Sequence, residues 1–325
     1  MDYSHNANLR LDEFSLIEKY FKNQKISRPD VILGIGDDAA LVNVPSNCLL
    51  VLSMDTLVEG VHFPPQTSPF DIGYKALAVN LSDLAAMGAE PAWMTLALTL
   101  PEINTTWLDE FTKGLNQLAK QFNVQLIGGD TTRGPLTVTI QVHGFVQPHH
   151  VLSRHGAKVG DKIYVSGTLG DAGLGLQIAL GNRDLPIQDK LFVLQRLNRP
   201  IPRIQLGILL REIATSAIDI SDGLLADLNH ILKSSNVGAR INAKNIPLSQ
   251  ALQNLPLAEA QQLALTAGDD YELCFTIPTE NENTLIARLS HLEINYSSIG
   301  EIQKAPGLQI DGFSDDLCKF GFQHF

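Results

Sequence analysis

Apolar runs of strand length alternate with segments of helical period along most of this chain, and that alternation restricts it to an α/β (α+β) architecture. Residues 14–21 read as a first helix. Residues 31–35 read as a strand ending in a glycine-rich turn, and 49–54 as a buried strand. A strongly apolar helix covers 72–87. An amphipathic one covers 107–122, with a short strand at 124–127 behind it. Residues 137–146 alternate cleanly, with Val138, Ile140, Val142 and Val146 on one face and Thr137, Thr139, Gln141 and His143 on the other, the signature of a half-buried strand in an antiparallel or mixed sheet. Gln147, Pro148, His149 and His150 interrupt the pattern. The second half restarts with a strand at 163–165, a glycine-rich turn into a helix at 167–180, a helix at 224–233 and a strand at 271–277.

A chain of 325 residues is long for one core, so two domains are expected, 1–149 and 150–325. Hydrophobic residues make up 44 % and charged residues 18 %, enough to bury a sizeable core. The formal net charge of -11 argues against nucleic acid and anionic membranes as partners. Cys48, Cys274 and Cys318 are scattered and fit no metal-ligand spacing. The first residues lack a signal-peptide apolar core, and no run is long enough to span a bilayer, so a cytoplasmic enzyme is expected.

The aspartates are the informative residues. Asp37 and Asp38 follow a Gly-Ile-Gly turn. Asp55 closes the expected strand at 49–54, and Asp130 follows a strand and a Gly-Gly pair. Asp219 and Asp222 flank Ile220-Ser221, and Asp269 and Asp270 follow Gly268. Asp83 lies inside an almost wholly apolar helix. One Asp after a strand is ordinarily a turn residue or a helix cap. Asp83 is different: a buried charge must be paired, here with Lys75, or coordinated. Strand ends at one edge of an α/β sheet converge on a crevice. Carboxylates converging there, about 4 Å apart, repel by about 4 kcal/mol at an effective dielectric of about 20. Several together call for cations, and all-oxygen ligands with phosphates select magnesium.

Competing motifs are weaker. Gly34, Gly36 and Ala39 fit G-x-G-x-x-A, but Asp37 and Asp38 would repel a pyrophosphate in that turn. No P-loop and no protein-kinase catalytic triplets occur. The turn at 167–175 could bind phosphate or be plain close packing, and His149-His150 reads as a solvated connection.

The strings GIGDDAA (34–40), DTLVEGVHF (55–63), KALAVNLSDLAAMG (75–88), GGDTTRG (128–134), DISDG (219–223) and GDDYEL (268–273) occur in that order. Together they resemble the bacterial thiamine-monophosphate kinase family, over nearly the whole chain. That family lies in the superfamily of aminoimidazole-ribonucleotide synthetase and selenophosphate synthetase. The resemblance implies a two-domain fold with a mixed-sheet N-terminal domain that binds metal and ATP. That domain dimerises through a shared β-barrel, and an α/β C-terminal domain completes the cleft. It implies magnesium-dependent transfer from ATP to thiamine monophosphate, giving thiamine diphosphate. By motif it carries metal roles onto Asp38, Ser53, Met54, Asp55, Asp83, Asp130, Asp219 and Asp222. Nucleotide roles fall on Gly129, Asp130, Arg154 and Ser221, and acceptor roles on His62, Asp269 and Phe322. Two positions depart from the family pattern. Met54 replaces a frequent Thr and has only its backbone carbonyl to offer a hard cation. Asp269 replaces the usual Glu, one methylene longer. No cysteine stands near the N-terminus as a selenophosphate synthetase would require. The remaining alternatives are another ATP-dependent superfamily member or a non-catalytic divalent-metal-binding protein.

Overall fold

The computed structural model describes residues 12–22 and 27–313, so Phe322 and Cys318 lie outside the described residues. The first half carries strands β1 (Val31–Leu33), β2 (Leu41–Val42), β3 (Leu49–Val58), β4 (Glu90–Leu100), β5 (Gln125–Arg133) and β6 (Thr137–Val146). Its helices are α1 (Glu13–Ile17), which continues as a wider turn over Glu18–Lys22, α2 (Pro69–Ala86) and α3 (Thr105–Gln121). The second half carries β7 (Lys162–Ser166), β8 (Ser216–Asp219), β9 (Gly238–Asn242), β10 (Leu273–Ile277), β11 (Tyr296–Gln303) and β12 (Gly307–Asp311). Around them lie α4 (Asp171–Ala179), α5 (Ile187–Asn198), α6 (Ile204–Leu210), α7 (Leu224–Ser235), α8 (Gln250–Gln253), α9 (Leu257–Thr266) and α10 (Glu282–Leu289).

Two mixed sheets organise these elements into a two-domain α/β fold. The first sheet runs β3-β6-β4-β5, antiparallel except for β4 beside β5. The second runs β12-β9-β11-β7-β10-β8, antiparallel except for β12 beside β9. As the alternation in β6 requires, Val138, Ile140, Val142 and Val146 are buried and Thr137, Thr139, Gln141 and His143 are half-buried.

Helix α2 is the structural centre. Ser68 caps it by accepting the Asp71 N–H at 3.1 Å, and Pro69 occupies its first turn, where a missing N–H costs nothing. Leu77, Ala78, Leu81, Leu84 and Ala85 are completely buried, because the helix is walled by the first sheet, by α3, and by α6 and β8 of the second half. A helix apolar on nearly every side is stable only in such a place. Its crossing with α3 is backbone to backbone. A Cβ on Gly73 would lie 2.1 Å from the Phe111 carbonyl oxygen, and one on Gly114 would lie 1.9 Å from that of Phe70. Neither position admits a side chain.

Several expectations need correction. Strand β3 is neither short nor buried. It runs on to Val58 at the edge of its sheet, and Leu52 and Met54 are 52 % and 62 % exposed. Asp55 therefore lies within the strand rather than after it. Strand β5 likewise continues through the Gly-Gly pair to Arg133, so Asp130 is inside it. The parallel register with β4 holds this glycine-containing stretch extended across a bulge at Met94/Thr95. Helix α4 begins at Asp171, after the glycine turn, and β10 begins at Leu273, because Asp269 and Tyr271 both adopt left-handed backbone conformations.

Candidate active site at the seam between the sheets

A cleft of about 960 Å³ opens where the two halves meet. From the first half it takes Asp55 and Val58 of β3, Val61 and His62 of the following turn, and Val79 and Asp83 of α2. From the second it takes Leu176 and Leu180 beside α4, Asp219, Ser221 and Asp222 after β8, and Asp269 and Tyr271 before β10. A second cavity of about 470 Å³ adjoins it, lined by Ser53, Met87, Arg154 and His155, and shares Asp83 and Asp219 with the first. The carboxylates thus stand where two hollows meet.

Each carboxylate is positioned by a nameable contact. Asp55 is on the inward-facing register of β3, and its N–H donates to the buried Asn80 side chain at 3.0 Å. Asn80 in turn donates to the Ala76 carbonyl at 2.9 Å. Asp83 lies one helical turn further along α2 and accepts the Ser53 hydroxyl at 2.5 Å. Asp219 ends β8, buried opposite Leu273. The next loop is held from beneath by Asp227 of α7, whose carboxylate accepts the N–H groups of Ser221 and Asp222, both at 3.0 Å. It is also zipped to the 268–271 segment: Asp269 N–H donates to the Ser221 carbonyl and Tyr271 N–H to that of Ile220, each at 2.8 Å. Gly268 permits that approach, since a Cβ there would sit 2.4 Å from the Ser221 oxygen.

These acids strain one another. Burial first, then the charges of Asp83 and Asp222, push Asp55 up to about 6. Burial raises Asp83 as well, opposed by the Ser53 hydroxyl and the positive charge of Arg154. Burial, followed by Asp83, drives Asp219 well above the ordinary carboxylate range. The same burial lifts Asp227 to about 7. No three His, Cys, Asp or Glu side chains among the described residues stand close enough to enclose an ion by themselves. Magnesium takes oxygen ligands and completes its shell with water and phosphate oxygens. The donor set is entirely oxygen, and a cation would relieve the repulsion, so the residues fit that ion.

The other expected residues are dispersed. Met54 points to the opposite face of β3 from Ser53 and Asp55 and is exposed. Asp38 is exposed on the turn after β1, and its N–H donates to Asp37. Gly129 and Asp130 line a separate small hollow beside Ile17 and Phe21. His62 accepts the Val58 N–H on Nδ1 at 3.0 Å, which leaves the ring proton of the neutral form on Nε2. Lys75 does not pair with Asp83; its ammonium lies 3.1 Å from Asp269. Asp270 faces away from the cleft and accepts the N–H groups of Gly170 and Ala172 at the start of α4.

The chain matches the AIR synthase related protein family, its N-terminal domain over residues 36–146 and its C-terminal domain over residues 158–312. It is 51 % identical to the thiamine-monophosphate kinase of Escherichia coli (strain K12) over 318 residues, which is 96 % of this chain and 98 % of that one. This chain belongs to the thiamine-monophosphate kinases. The Haemophilus influenzae thiamine-monophosphate kinase is 47 % identical, with 98 % and 99 % of the two chains covered. The crystal structure of thiamine-monophosphate kinase from Stenotrophomonas maltophilia superposes with a TM-score of 0.86 at 47 % identity, over 93 % of this chain and 98 % of that one. AaThiL complexed with AMPPCP and TMP superposes at 0.77 with 32 % identity, over 96 % and 97 %. Family membership makes the chain a phosphotransferase, and the carboxylate cluster at the seam is the part of the fold with chemistry to match.

The residues around that cluster escaped the sequence reading unevenly. Asp227 sits in an apolar helix as Asp83 does, so the same criterion would have found it. Asn80, a buried polar residue of α2, was open to the same criterion; its bond to the Asp55 N–H was not, because that partner lies in another element.

Proposed function

We propose that this chain transfers the γ-phosphoryl group of ATP directly to thiamine monophosphate, giving ADP and thiamine diphosphate, with magnesium as the required ion. The observation that carries this reading is the convergence of Asp55, Asp83, Asp219 and Asp222 on one cleft, where burial raises the first three above the ordinary carboxylate range and neighbouring charges add to it for Asp55 and Asp219. These four, with Asp38, Ser53, the Met54 carbonyl and Asp130 by family resemblance, would hold the ions. An ion held by these residues would supply charge neutralisation between donor and acceptor phosphates.

The chain's own groups do the rest. Arg154 approaches Asp83 and Asp219 from the adjoining cavity and supplies positive charge for the nucleotide; Ser221 lies in the main cleft, and Gly129, in its separate hollow, takes a nucleotide role by family resemblance alone. His62 presents its Nε2 side to the acceptor, with Asp269 across the cleft and Phe322 assigned by family resemblance. Val58, Val61, Leu176 and Leu180 give the cleft apolar walls for the rings of the acceptor. The acceptor is a phosphate already ionised at neutral pH, so no general base is needed. Phosphoryl transfer asks mainly for positioning and charge neutralisation. The carboxylates are committed to ions and are poor nucleophiles, so transfer is a single in-line displacement without a phosphoenzyme.

In this reading residues 1–149 bind metal and ATP and form the dimer, and residues 150–325 complete the cleft. Two copies pairing through their four-stranded sheets would cover the exposed Leu50, Leu52 and Met54 of β3. No helix among the described residues is long and apolar enough to cross a membrane, and we assign the enzyme to the cytoplasm, where its substrates are. The test is a product assay with ATP, magnesium and thiamine monophosphate, using a γ-phosphate made chiral with oxygen isotopes. Thiamine diphosphate with inverted phosphorus is expected. No product overturns the activity, and retained configuration overturns the single displacement.

A further inference from the structure

Lys75 is a buried cation whose burial the cleft chemistry has not yet explained. Its side chain is 3 % exposed, inside α2, and its ammonium lies 3.1 Å from the Asp269 carboxylate. A buried ammonium is tolerated only when paired, and removing one partner leaves the other as an uncompensated charge. The pair joins the two halves of the fold, since α2 belongs to the first sheet's domain and Asp269 precedes β10 of the second.

The carboxylate end of the pair is not buried. Asp269 is 30 % exposed and lines the cleft near His62. Its backbone is in the left-handed region (φ 69°), as is that of Tyr271 (φ 50°), a conformation that non-glycine residues adopt only when their surroundings hold them there. The surroundings here are the bond from Asp269 N–H to Ser221, the bond from Tyr271 N–H to Ile220, and Lys75. Other pairs in the fold are also buried at one end only, as Arg211 with Glu90, but the exposed end of the Lys75–Asp269 pair lies on the cleft. This one has a buried, rigid cation and a partly exposed anion facing the acceptor's space. Asp269 is also one methylene shorter than the Glu usual at this position, so its reach is fixed more tightly by whatever grips it.

We propose that Lys75 is a positioning residue for the acceptor: it holds the Asp269 carboxylate in register with the cleft across the domain seam. This rests on the reading of Asp269 as an acceptor-binding group. Lys75 itself touches neither substrate.

The test is steady-state kinetics on the full-length enzyme, with ATP and thiamine monophosphate varied separately. The variants are Lys75→Met, Lys75→Arg, Asp269→Asn and the double variant Lys75→Met/Asp269→Asn, each with a thermal melt. Lys75→Met should raise the KM for thiamine monophosphate about tenfold while the KM for ATP changes by less than about twofold. Lys75→Arg should recover most of the loss. The double variant should be no worse than Asp269→Asn alone, and it remains readable if Lys75→Met alone folds poorly, because it leaves no carboxylate unpaired. Parallel changes in both KM values, or a double variant as impaired as the product of the single losses, overturns the inference. A wild-type enzyme that turns over no thiamine monophosphate sinks the function reading and this inference with it. A wild-type that does, with additive variants, sinks this inference alone.

Discussion

Asp83→Asn separates a carboxylate kept for an ion from one kept for the fold, because the two roles predict opposite signs. Without metal, Asp83 adds its charge to a crowded site. The pKa of Asp55 rises from 3.8 to about 6, with burial as the largest cause and Asp83 next. A rise of that size corresponds to about 3 kcal/mol of lost stability at neutral pH. A carboxylate whose folded pKa lies above its unfolded value binds the extra proton when folded. The loss is therefore absent below about pH 4, grows as pH rises, and is complete above about pH 6. Burial accounts for the larger part, so removing the Asp83 charge should return on the order of 1 kcal/mol to the chelated protein above about pH 6. That is about 2–4 °C in melting temperature for a domain of this size. The Ser53 hydroxyl keeps an acceptor in the Asn amide oxygen, so packing is preserved. Melts followed by circular dichroism in chelator should place Asp83→Asn at or slightly above wild type near neutral pH, with the difference vanishing near pH 4. With magnesium and ATP the order should reverse, since wild type gains ligand stabilisation that the variant largely lacks, and turnover should collapse. A variant that melts well below wild type in chelator would refute the reasoning and make Asp83 a structural partner.

Two further outcomes follow from groups outside the carboxylate cluster. Glu272 is buried and accepts Ser166 at 2.5 Å, Arg196 at 3.0 Å and Arg203 at 2.5 and 2.6 Å, so Glu272→Gln removes the counter-charge of Arg203 and leaves Arg196 only Asp171, at 3.7 Å, and the nearby Asp270. It should lose about 3–5 kcal/mol in urea unfolding with an unchanged slope, and a loss below about 1 kcal/mol would show the network to be dispensable. Leu52→Lys places a charge on the exposed face of β3; sedimentation should then show a dimeric wild type and a monomeric variant, and a monomeric wild type would remove the proposed interface.

How much of this was legible in the sequence depended on whether a residue's role was local. Strand β6 and helix α3 were readable because period and burial coincide in them: the alternation of 137–146 is a statement about one sheet face. Helix α2 was readable as a helix, and Asp83 stood out within it. Strand β3 was misread as buried because an apolar run looks the same whether its second face meets a core or lies open, as Leu52 and Met54 do. The ends of β3 and β5 were placed too early because Asp and Gly ordinarily stop strands, and here the ladder with β6 and β4 overrides them. Strands β8, β9, β11 and β12 left too little periodic signal in four to eight residues each. The aspartates were found, but not their partners. Helical spacing alone excludes Lys75 with Asp83, which are eight residues apart on α2 and not the three or four at which side chains meet; that Asp269 takes the lysine is decided by the meeting of two domains, which no local pattern encodes.

That choice of partner has a consequence for how the site is registered. Lys75, Val79 and Asp83 recur at intervals of four along α2, so they share one face of one helix. Val79 and Asp83 line the cleft, and Lys75 holds a group that does. Eight residues of helix span about 12 Å. Helix α2 is the most thoroughly buried of the described helices, fixed by its crossing with α3 and by the second domain on its far side. In the proposed reading Asp83 serves the ions and Asp269 the acceptor, and Lys75 ties the acceptor end to the helix that carries Asp83. A phosphoryl transfer that depends on alignment rather than on a nucleophilic side chain gains most from such a common reference. The two ends of the reaction then cannot drift apart without breaking the core.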